Sequence, residues 1–470
     1  MTGHLLPGTT LRRRTADAVA DERLRGNVAR AVDRFADHRV TGLAELDSEL
    51  GGADGLRRAA RAVKQQVLAD LPALLERFAD QVLARGGQVC WAPTAADARG
   101  YIVDVIERAG ATRVAKSKSM ATEEIDLNPA IVAAGAEVVE TDLGEWIIQL
   151  AGETPSHIIA PALHKDRHQI KDLFVDTVAA PPTLDTAPAE LVGFARQRLR
   201  EVFLAAEVGI TGANIGVAET GSIVLVTNEG NGRLVTALPR VHIAVLGMER
   251  LAADWHQADL LLALLARSAT GQRLSSYTSI VTGPSDGAEI DGPDELHVVI
   301  LDNGRSDLLG GQYHEMLDCI RCGACLNVCP VYRQTGGHAY GWVYPGPMGA
   351  VLTPLLAAEQ PEAAEVAGAS TLCGACMDAC PVQIPLQDML LALRRDRAAE
   401  AGGTERAAWR AWSAAWSDPA RYGATTRAAT WGRWAADLAG RLPVGRDWAA
   451  GRTVPRPADD RFRDRWRRGL

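Results

Sequence analysis

Apolar side chains recur every three to four residues along "DERLRGNVARAVDRFADHRV", the spacing of one helix face. They do so again along "LRRAARAVKQQVLADLPALLERFADQVLARGG", where Gly86-Gly87 stops the run. Between about 88 and 305 the pattern shortens and alternates. "QVCWAP" reads as a strand, "AADARGYIVDVIERAG" as a helix ending at glycine, "TRVAKSK" as a strand, "NPAIVAAG" as a helix, and "AEVVETD" and "HIIAPA" as strands. Helices and strands taking turns predict an α/β domain around a largely parallel sheet. "VGITGANIGVAETGSIVLVTNEGNGRLVTALPRVHIAVLG" then reads strand, glycine turn, strand, turn, strand, which predicts an antiparallel or mixed extension of that sheet. Four parts result: a helical segment over 1–60, the α/β domain over 61–305, a helical domain with two cysteine-rich runs over 306–395, and a helical Trp- and Arg-rich region over 396–470.

Composition narrows the function classes. A net charge of −8 argues against nucleic acid as a partner, which asks for a basic face. The N-terminal stretch has no apolar core of signal-peptide length, and no run reaches the roughly 18 apolar residues of a membrane span. The chain reads as cytoplasmic, a location that leaves room for peripheral contact with a membrane. Seven of the eight cysteines fall in two short runs, where a disulfide framework would scatter them along a small secreted chain. That crowding points to metal.

The first run is C-x2-C-x2-C-x3-C-P: Cys319, Cys322, Cys325, Cys329 and Pro330. This is the bacterial-type iron–sulfur spacing, in which three thiolates on a tight loop wrap one cluster and the fourth serves another. Zinc sites use separated cysteine pairs instead. The second run, Ser370, Cys373, Cys376, Cys380 and Pro381, has serine in the first slot. The crossed rule assigns Cys319, Cys322, Cys325 and Cys380 to one cluster and Cys329, Cys373 and Cys376 to the other. The second cluster then needs a fourth donor, from Ser370, water or a substrate oxygen, or else holds only three irons. A hard oxygen or an open iron would set its potential apart from that of the first cluster. The long gap between the runs leaves room for helices, as in α-helical ferredoxin domains. Its "GGHAYGWVYPGPMG" reads as a loop ordered by aromatics, with His338 a locally bonded loop histidine. Cys90, outside both runs, reads as a small buried hydrophobe.

"CIRCGACLNVCPVYRQTGGHAYGWVYPGPMGAVLTPLL" and "LCGACMDACPVQI" resemble the lactate utilisation protein B family. The upstream "VAKSKSMATEEIDLNPAIVAAGAEVVETDLGEWIIQLAGETPSHIIAPALHKDR" and "GITGANIGVAETGSIVLVTNEGNGRLVT" are similar to its LUD domain. The resemblance runs over nearly the whole chain. It implies an α/β LUD domain with the fold shared by NagB, ribose-5-phosphate isomerase and CoA transferases, followed by an α-helical ferredoxin-type domain and a helical Trp-rich tail. It also implies two [4Fe–4S] clusters that pass electrons, on the same two sets of cysteines. Lactate utilisation proteins A and C are the implied partners, in oxidation of L-lactate to pyruvate for growth on lactate. A second site with three cysteines belongs to the family pattern.

Residue types in the α/β part say less. Lys116 and Lys118 end a strand ahead of a helix start, a natural anion site, though paired surface lysines are the simpler reading. Glu219, Thr220 and Ser222 lie on a glycine turn; a nucleophilic role for Glu219 rests on fold analogy alone. His157, His164 and His168 read as solvated, although the last two have a metal-pair spacing. Trp409, Trp412 and Trp416 share a helix face, for packing or for docking a partner. No nicotinamide or flavin fingerprint is present. Two other functions compete: a free-standing LUD enzyme on an acyl or phosphate substrate with structural clusters, and an interaction scaffold.

Overall fold

The computed structural model describes residues 9–49, 52–288, 291–400, 402–435 and 456–469. Its contacts divide the chain into two compact units, Met1–Arg394 and Arg395–Leu470.

The first unit is built on a six-stranded parallel sheet. Its strands are β1 (Gln88–Ala92), β2 (Arg113–Lys116), β3 (Glu137–Glu140), β4 (Val208–Gly212), β7 (Val241–Gly247) and β10 (Glu295–Leu301), in the order β1-β10-β7-β4-β2-β3. Helices cover both faces, so the central strands carry apolar side chains at nearly every position. Alternate residues serve alternate faces. Ile243, Val245, Val299 and Leu301 pack with Ile102 and Ile106 of helix Ala95–Arg108, while Ala244, Leu246, Val298 and Ile300 pack with Phe78 and Val82 of helix Leu71–Ala84. Each large apolar side chain so buried contributes about 1.5–3 kcal/mol.

Three expectations change. The helix read across residues 56–85 is two, Ala53–Ala69 and Leu71–Ala84, because Pro72 lacks the N–H that a continuous helix would use and fits only a first turn. The "antiparallel or mixed extension" is a separate sheet. Strands β5 (Ile215–Val217), β6 (Ser222–Thr227), β8 (Leu251–Ala252) and β9 (Tyr277–Val281) pair in the order β8-β5-β6-β9, while β4 and β7 stay in the parallel sheet. "HIIAPA" forms no strand. Backbone groups in and beside it are used locally and by the cysteine-rich part: the N–H of the preceding Ser156 donates to the Pro161 carbonyl at 3.0 Å, and Tyr332 Oη donates to the Ser156 carbonyl at 2.6 Å.

The N-terminal helices Leu11–Ala20 and Glu22–Glu49 join the same unit. Arg14, buried, donates to the Ala339 carbonyl at 3.0 Å, and Val28 and Val32 enter the core around both cysteine runs. The aromatic-rich gap is ordered as expected from its residues, with Tyr340 and Tyr344 almost fully buried.

In the second unit, helices Gly403–Trp416 and Pro419–Trp431 form a pair. Trp409, Trp412 and Trp416 are exposed and stack along one face, the latter two with ring centroids 5.6 Å apart. Trp448, a further tryptophan of the Trp- and Arg-rich region, lies outside the described residues. No helix among the described residues is long and apolar enough to cross a membrane.

Candidate metal centre

The two cysteine runs fold into the same backbone device. Arg321 and Gly323 have φ of 59° and 77°; Leu372 and Gly374, at the matching positions, have 56° and 85°. Two left-handed residues flanking a cysteine turn successive N–H groups inward, a nest suited to anionic sulfur. Glycine takes this conformation freely, whereas Arg321 and Leu372 do so against about 1–2 kcal/mol of steric cost. Short helices follow, Ala324–Asn327 and Ala375–Ala379. In the first nest the Arg321 N–H donates to Cys319 Sγ at 3.4 Å; in the second the Leu372 N–H donates to Ser370 Oγ at 3.0 Å. Ser370 therefore stands where Cys319 stands, in the same local bond.

The seven thiols fall into two groups. Cys319, Cys322, Cys325 and Cys380, three from the first run and one from the second, line one small cavity with apolar Ile320, Met348, Val382 and Ile384. Burial, then the neighbouring Cys380 and Cys319, pushes the Cys322 thiol up to about 12. Burial and Cys319, Cys322 and Cys380 raise Cys325 well above the ordinary range. Cys376 is pushed up to about 11 by burial, then by Cys329 and Cys373. Only Cys373 is exposed, and N–H and hydroxyl donors, Ala375 and Thr371 first, lower its pKa.

Cationic groups surround the first nest. Arg39, on helix Glu22–Glu49, and Arg57, on helix Ala53–Ala69, donate to the Ala379 and Cys380 carbonyls, both at 2.8 Å. Arg250 donates to the Cys319 carbonyl at 2.9 Å. Arg321 reaches Glu249 at 3.4 Å, Glu249 meets Arg305 at 2.9 Å, and Arg305 meets Glu124 at 2.7 Å, a buried chain of alternating charge. Sequence spacing gave no sign of these residues, because arginines on amphipathic helices and in loops look like solvated surface.

A second feature adjoins this nest. A cavity of about 290 Å3 opens at the carboxyl ends of β2, β4 and β7, with Lys118, Asn214, Asn231, Glu249, Arg250 and Arg321 in its wall. The chain leaves β2 toward β3 and returns on the other side of β2 as β4, so strand order reverses there. Such a crevice is where open α/β sheets bind ligands.

Comparison with known proteins then decides the family. Lactate utilisation protein B of Bacillus licheniformis is 45% identical over 460 residues, covering 96% of this chain and 95% of that protein. Its counterpart in Shouchella clausii is 46% identical over 446 residues, 93% of each chain. The chain belongs to the lactate utilisation protein B family. Family models match in order along it: a LUD domain over 75–301, a 4Fe-4S dicluster domain over 315–384, and the C-terminal region of lactate utilisation protein B over 392–469. A crystal structure of a DUF162 family protein from Deinococcus radiodurans aligns over 49% of this chain and 98% of its own, at 15% identity and a TM-score of 0.27, too slight a likeness to argue from.

The α/β LUD core, the ferredoxin-type domain and the C-terminal helices are thus the architecture of this family member. Its residues also fit an iron–sulfur group. Buried thiols with raised pKa values, crowded in an apolar cavity under inward-facing N–H groups, are costly as free thiolates and apt as ligands of a cation. Further N–H groups point at sulfur: Ile384 at Cys380 and Tyr332 at Cys329, at 3.4 and 3.5 Å.

Other sequence candidates land elsewhere. Lys116 is no surface lysine: it is fully buried, bonded to Glu123 at 2.9 Å and Glu140 at 2.5 Å, and so held from any ligand. Lys118 does reach the cavity, its ammonium donating to the Ile158 carbonyl. Glu219 is exposed on its turn, outside the cavity wall, and Ser222 bonds Thr220 and Thr282. The reading of solvated histidines fails for two of three. His157 is fully buried, accepting from the Ile159 N–H at 3.1 Å and meeting Asn327 at 3.0 Å, because its loop underlies the first nest. His164, buried, bonds Glu153 at 2.7 Å, and only His168 is exposed. His338 bonds the Thr154 carbonyl at 2.8 Å and packs on His164. Glu153, His164 and His338 thus meet, but Lys165 already holds Glu153 at 2.6 Å, and the group reads as a brace between loops. Cys90 lies on the edge strand and is half-buried, not enclosed.

Proposed function

We propose that this chain is the iron–sulfur electron-transfer component of a system that oxidises L-lactate to pyruvate, working in the cytoplasm with lactate utilisation proteins A and C. The family, whose members bear the name lactate utilisation protein B, supports the pathway. The observation that carries the electron-transfer role is the sorting of the thiols: Cys380 from the second run shares one cavity with Cys319, Cys322 and Cys325. Crossed ligation of this kind holds two clusters close together. In this reading the first cluster is [4Fe–4S] on those four thiolates. The second is [4Fe–4S] on Cys329, Cys373 and Cys376 with Ser370 Oγ as fourth donor, supported by the bond Ser370 shares in form with Cys319. Such clusters accept and release single electrons. The protein's part is to shield the first nest, to place arginines against its negative charge, and to leave Cys373 near solvent.

The test is anaerobic preparation of the full chain with iron and sulfide analysis and EPR before and after dithionite. About eight irons and two interacting reduced signals are expected. L-lactate should reduce the chain only when both partners are present. Lactate turnover by the chain alone would sink the reading.

A further inference from the structure

The cavity at the carboxyl edge of the sheet belongs to none of the roles given so far. Its charged residues fall into two groups. At one end Arg250, Arg305 and Arg321 gather around Glu249, with Glu124 behind Arg305. Arg250 spends its N–H groups on the neutral Cys319 and Asn214 carbonyls, at 2.9 and 2.6 Å, and Arg321 Nη1 is buried with no hydrogen-bond partner. At the other end Asp142 and Glu229 stand with Lys118. Asn231 also lines the cavity; it is 4% exposed, and its amide nitrogen and oxygen both lack partners.

A buried polar group without a partner is costly to leave unmet. Two of them in one cavity wall, one donor-only and one both donor and acceptor, describe a ligand that is anionic and also carries a hydroxyl or oxo group. The guanidiniums draw an anion, and the carboxylates at the rim oppose a dianion such as phosphate. The backbone keeps the space open. A side chain at Gly247, where β7 ends, would place its Cβ 2.5 Å from Glu249 Oε2, and one at Gly212, ending β4, would lie 2.6 Å from Ser119 Oγ.

We propose that this cavity binds a small 2-hydroxy or 2-oxo monocarboxylate, with its carboxylate drawn to Arg250 and Arg321 and its hydroxyl or oxo group to Asn231. The site lies against the first cysteine nest, since Arg321 sits between Cys319 and Cys322 in sequence. It rests on the lactate-oxidation reading for the choice of acid.

Calorimetry on the anaerobic, cluster-loaded full chain tests it, with L-lactate, pyruvate and inorganic phosphate as titrants. L-lactate or pyruvate should bind, and phosphate should not. Asn231→Asp keeps the side-chain shape and sets a carboxylate against the anion, so affinity should fall about tenfold or more, with iron content and the reduced EPR signal unchanged. Asn231→Leu should weaken binding in the same sense. Failure of both acids to bind, undiminished binding by both variants, or tighter binding of phosphate would overturn the proposal. Reduction by L-lactate with the partners present, measured on the same preparation, separates the two readings. A chain that is reduced but binds neither acid loses the site and keeps the electron-transfer role. A chain that binds but is never reduced keeps the site and loses that role.

Discussion

The two cysteine nests share a backbone and differ in their surroundings. Both use two left-handed residues around a cysteine, and both direct the N–H of the first of these to the side chain two positions earlier. Yet the first is enclosed and the second reaches the surface at Cys373. The first places Arg321 at its left-handed position, tied into a buried run of charges; the second places Leu372 there, partly buried against the apolar core. The first begins with cysteine and the second with serine. Ligand geometry is thus set by local backbone, while charge, access and donor type are set by what the rest of the fold brings up. Two copies of one motif can in this way hold similar clusters with different properties.

The strongest break of this comparison exchanges thiols across it. If ligation is crossed, Cys380→Ala, a change in the second run, should damage the first cluster, and Cys373→Ala the second. Each should remove up to about half of roughly eight irons, and the EPR signal lost should differ between them. If both variants lose the same signal, the clusters are not crossed and the grouping of the thiols has been misread.

Arg321→Leu comes next, because it makes the first nest resemble the second. It strips one of the two arginines ion-paired with buried Glu249, which keeps Arg305 at 2.9 Å. A buried pair that loses its sole partner costs about 3–5 kcal/mol, so about 2 is expected here, read as a lowered unfolding midpoint of the anaerobic chain. The pH dependence has a definite sign. Burial alone would raise Glu124 and Glu249, but Arg305 above all holds both below the usual carboxylate range. Carboxylates depressed in the folded state contribute stability above the ordinary glutamate pKa and lose it as pH falls through the depressed value. The gap between Arg321→Leu and the native chain should therefore be full near neutrality and narrow in acid. A gap that widens on acidification would show that Glu249 is not what Arg321 stabilises.

Much of this was legible in sequence, for identifiable reasons. Cysteine spacing reports local backbone, so both nests follow from it, and period-two and period-3.6 patterns found the parallel core. What failed depends on distant partners. "HIIAPA" has strand-like residues, but Tyr332, far along the chain, takes the Ser156 carbonyl beside it. Lys116 reads as surface until Glu123 and Glu140 close over it. The Arg321–Glu249–Arg305–Glu124 run joins residues up to 197 positions apart, from Glu124 to Arg321, and no local pattern encodes it. Asn231 carried no signal of its own; only its burial without partners marks it.

Ser370 tests the difference in donor type with little effect on stability, since its hydroxyl makes one local bond. Ser370→Ala should lower iron from about eight to about seven and give an oxidised three-iron EPR signal. Ser370→Cys should keep all the iron and shift the midpoint potential of the second cluster alone. An unchanged potential in Ser370→Cys would mean that position 370 holds no iron.

The smallest effect separates backbone from side chain. Arg321 and Leu372 both pay for a left-handed conformation that glycine adopts freely, about 1 kcal/mol each. Arg321→Gly removes that cost together with the guanidinium, whereas Arg321→Leu removes the guanidinium alone. Arg321→Gly should therefore be less damaging than Arg321→Leu by about 1 kcal/mol, apart from the packing a leucine supplies. At the second nest Leu372→Gly gains the same backbone relief and gives up the partial burial of one leucine, about 1 kcal/mol as well, so its unfolding midpoint should barely move. If Leu372→Gly is instead as harmful as Arg321→Leu, the apolar side chain braces the second nest as firmly as the ion run braces the first, and the contrast between the nests reduces to Ser370 and the exposure of Cys373.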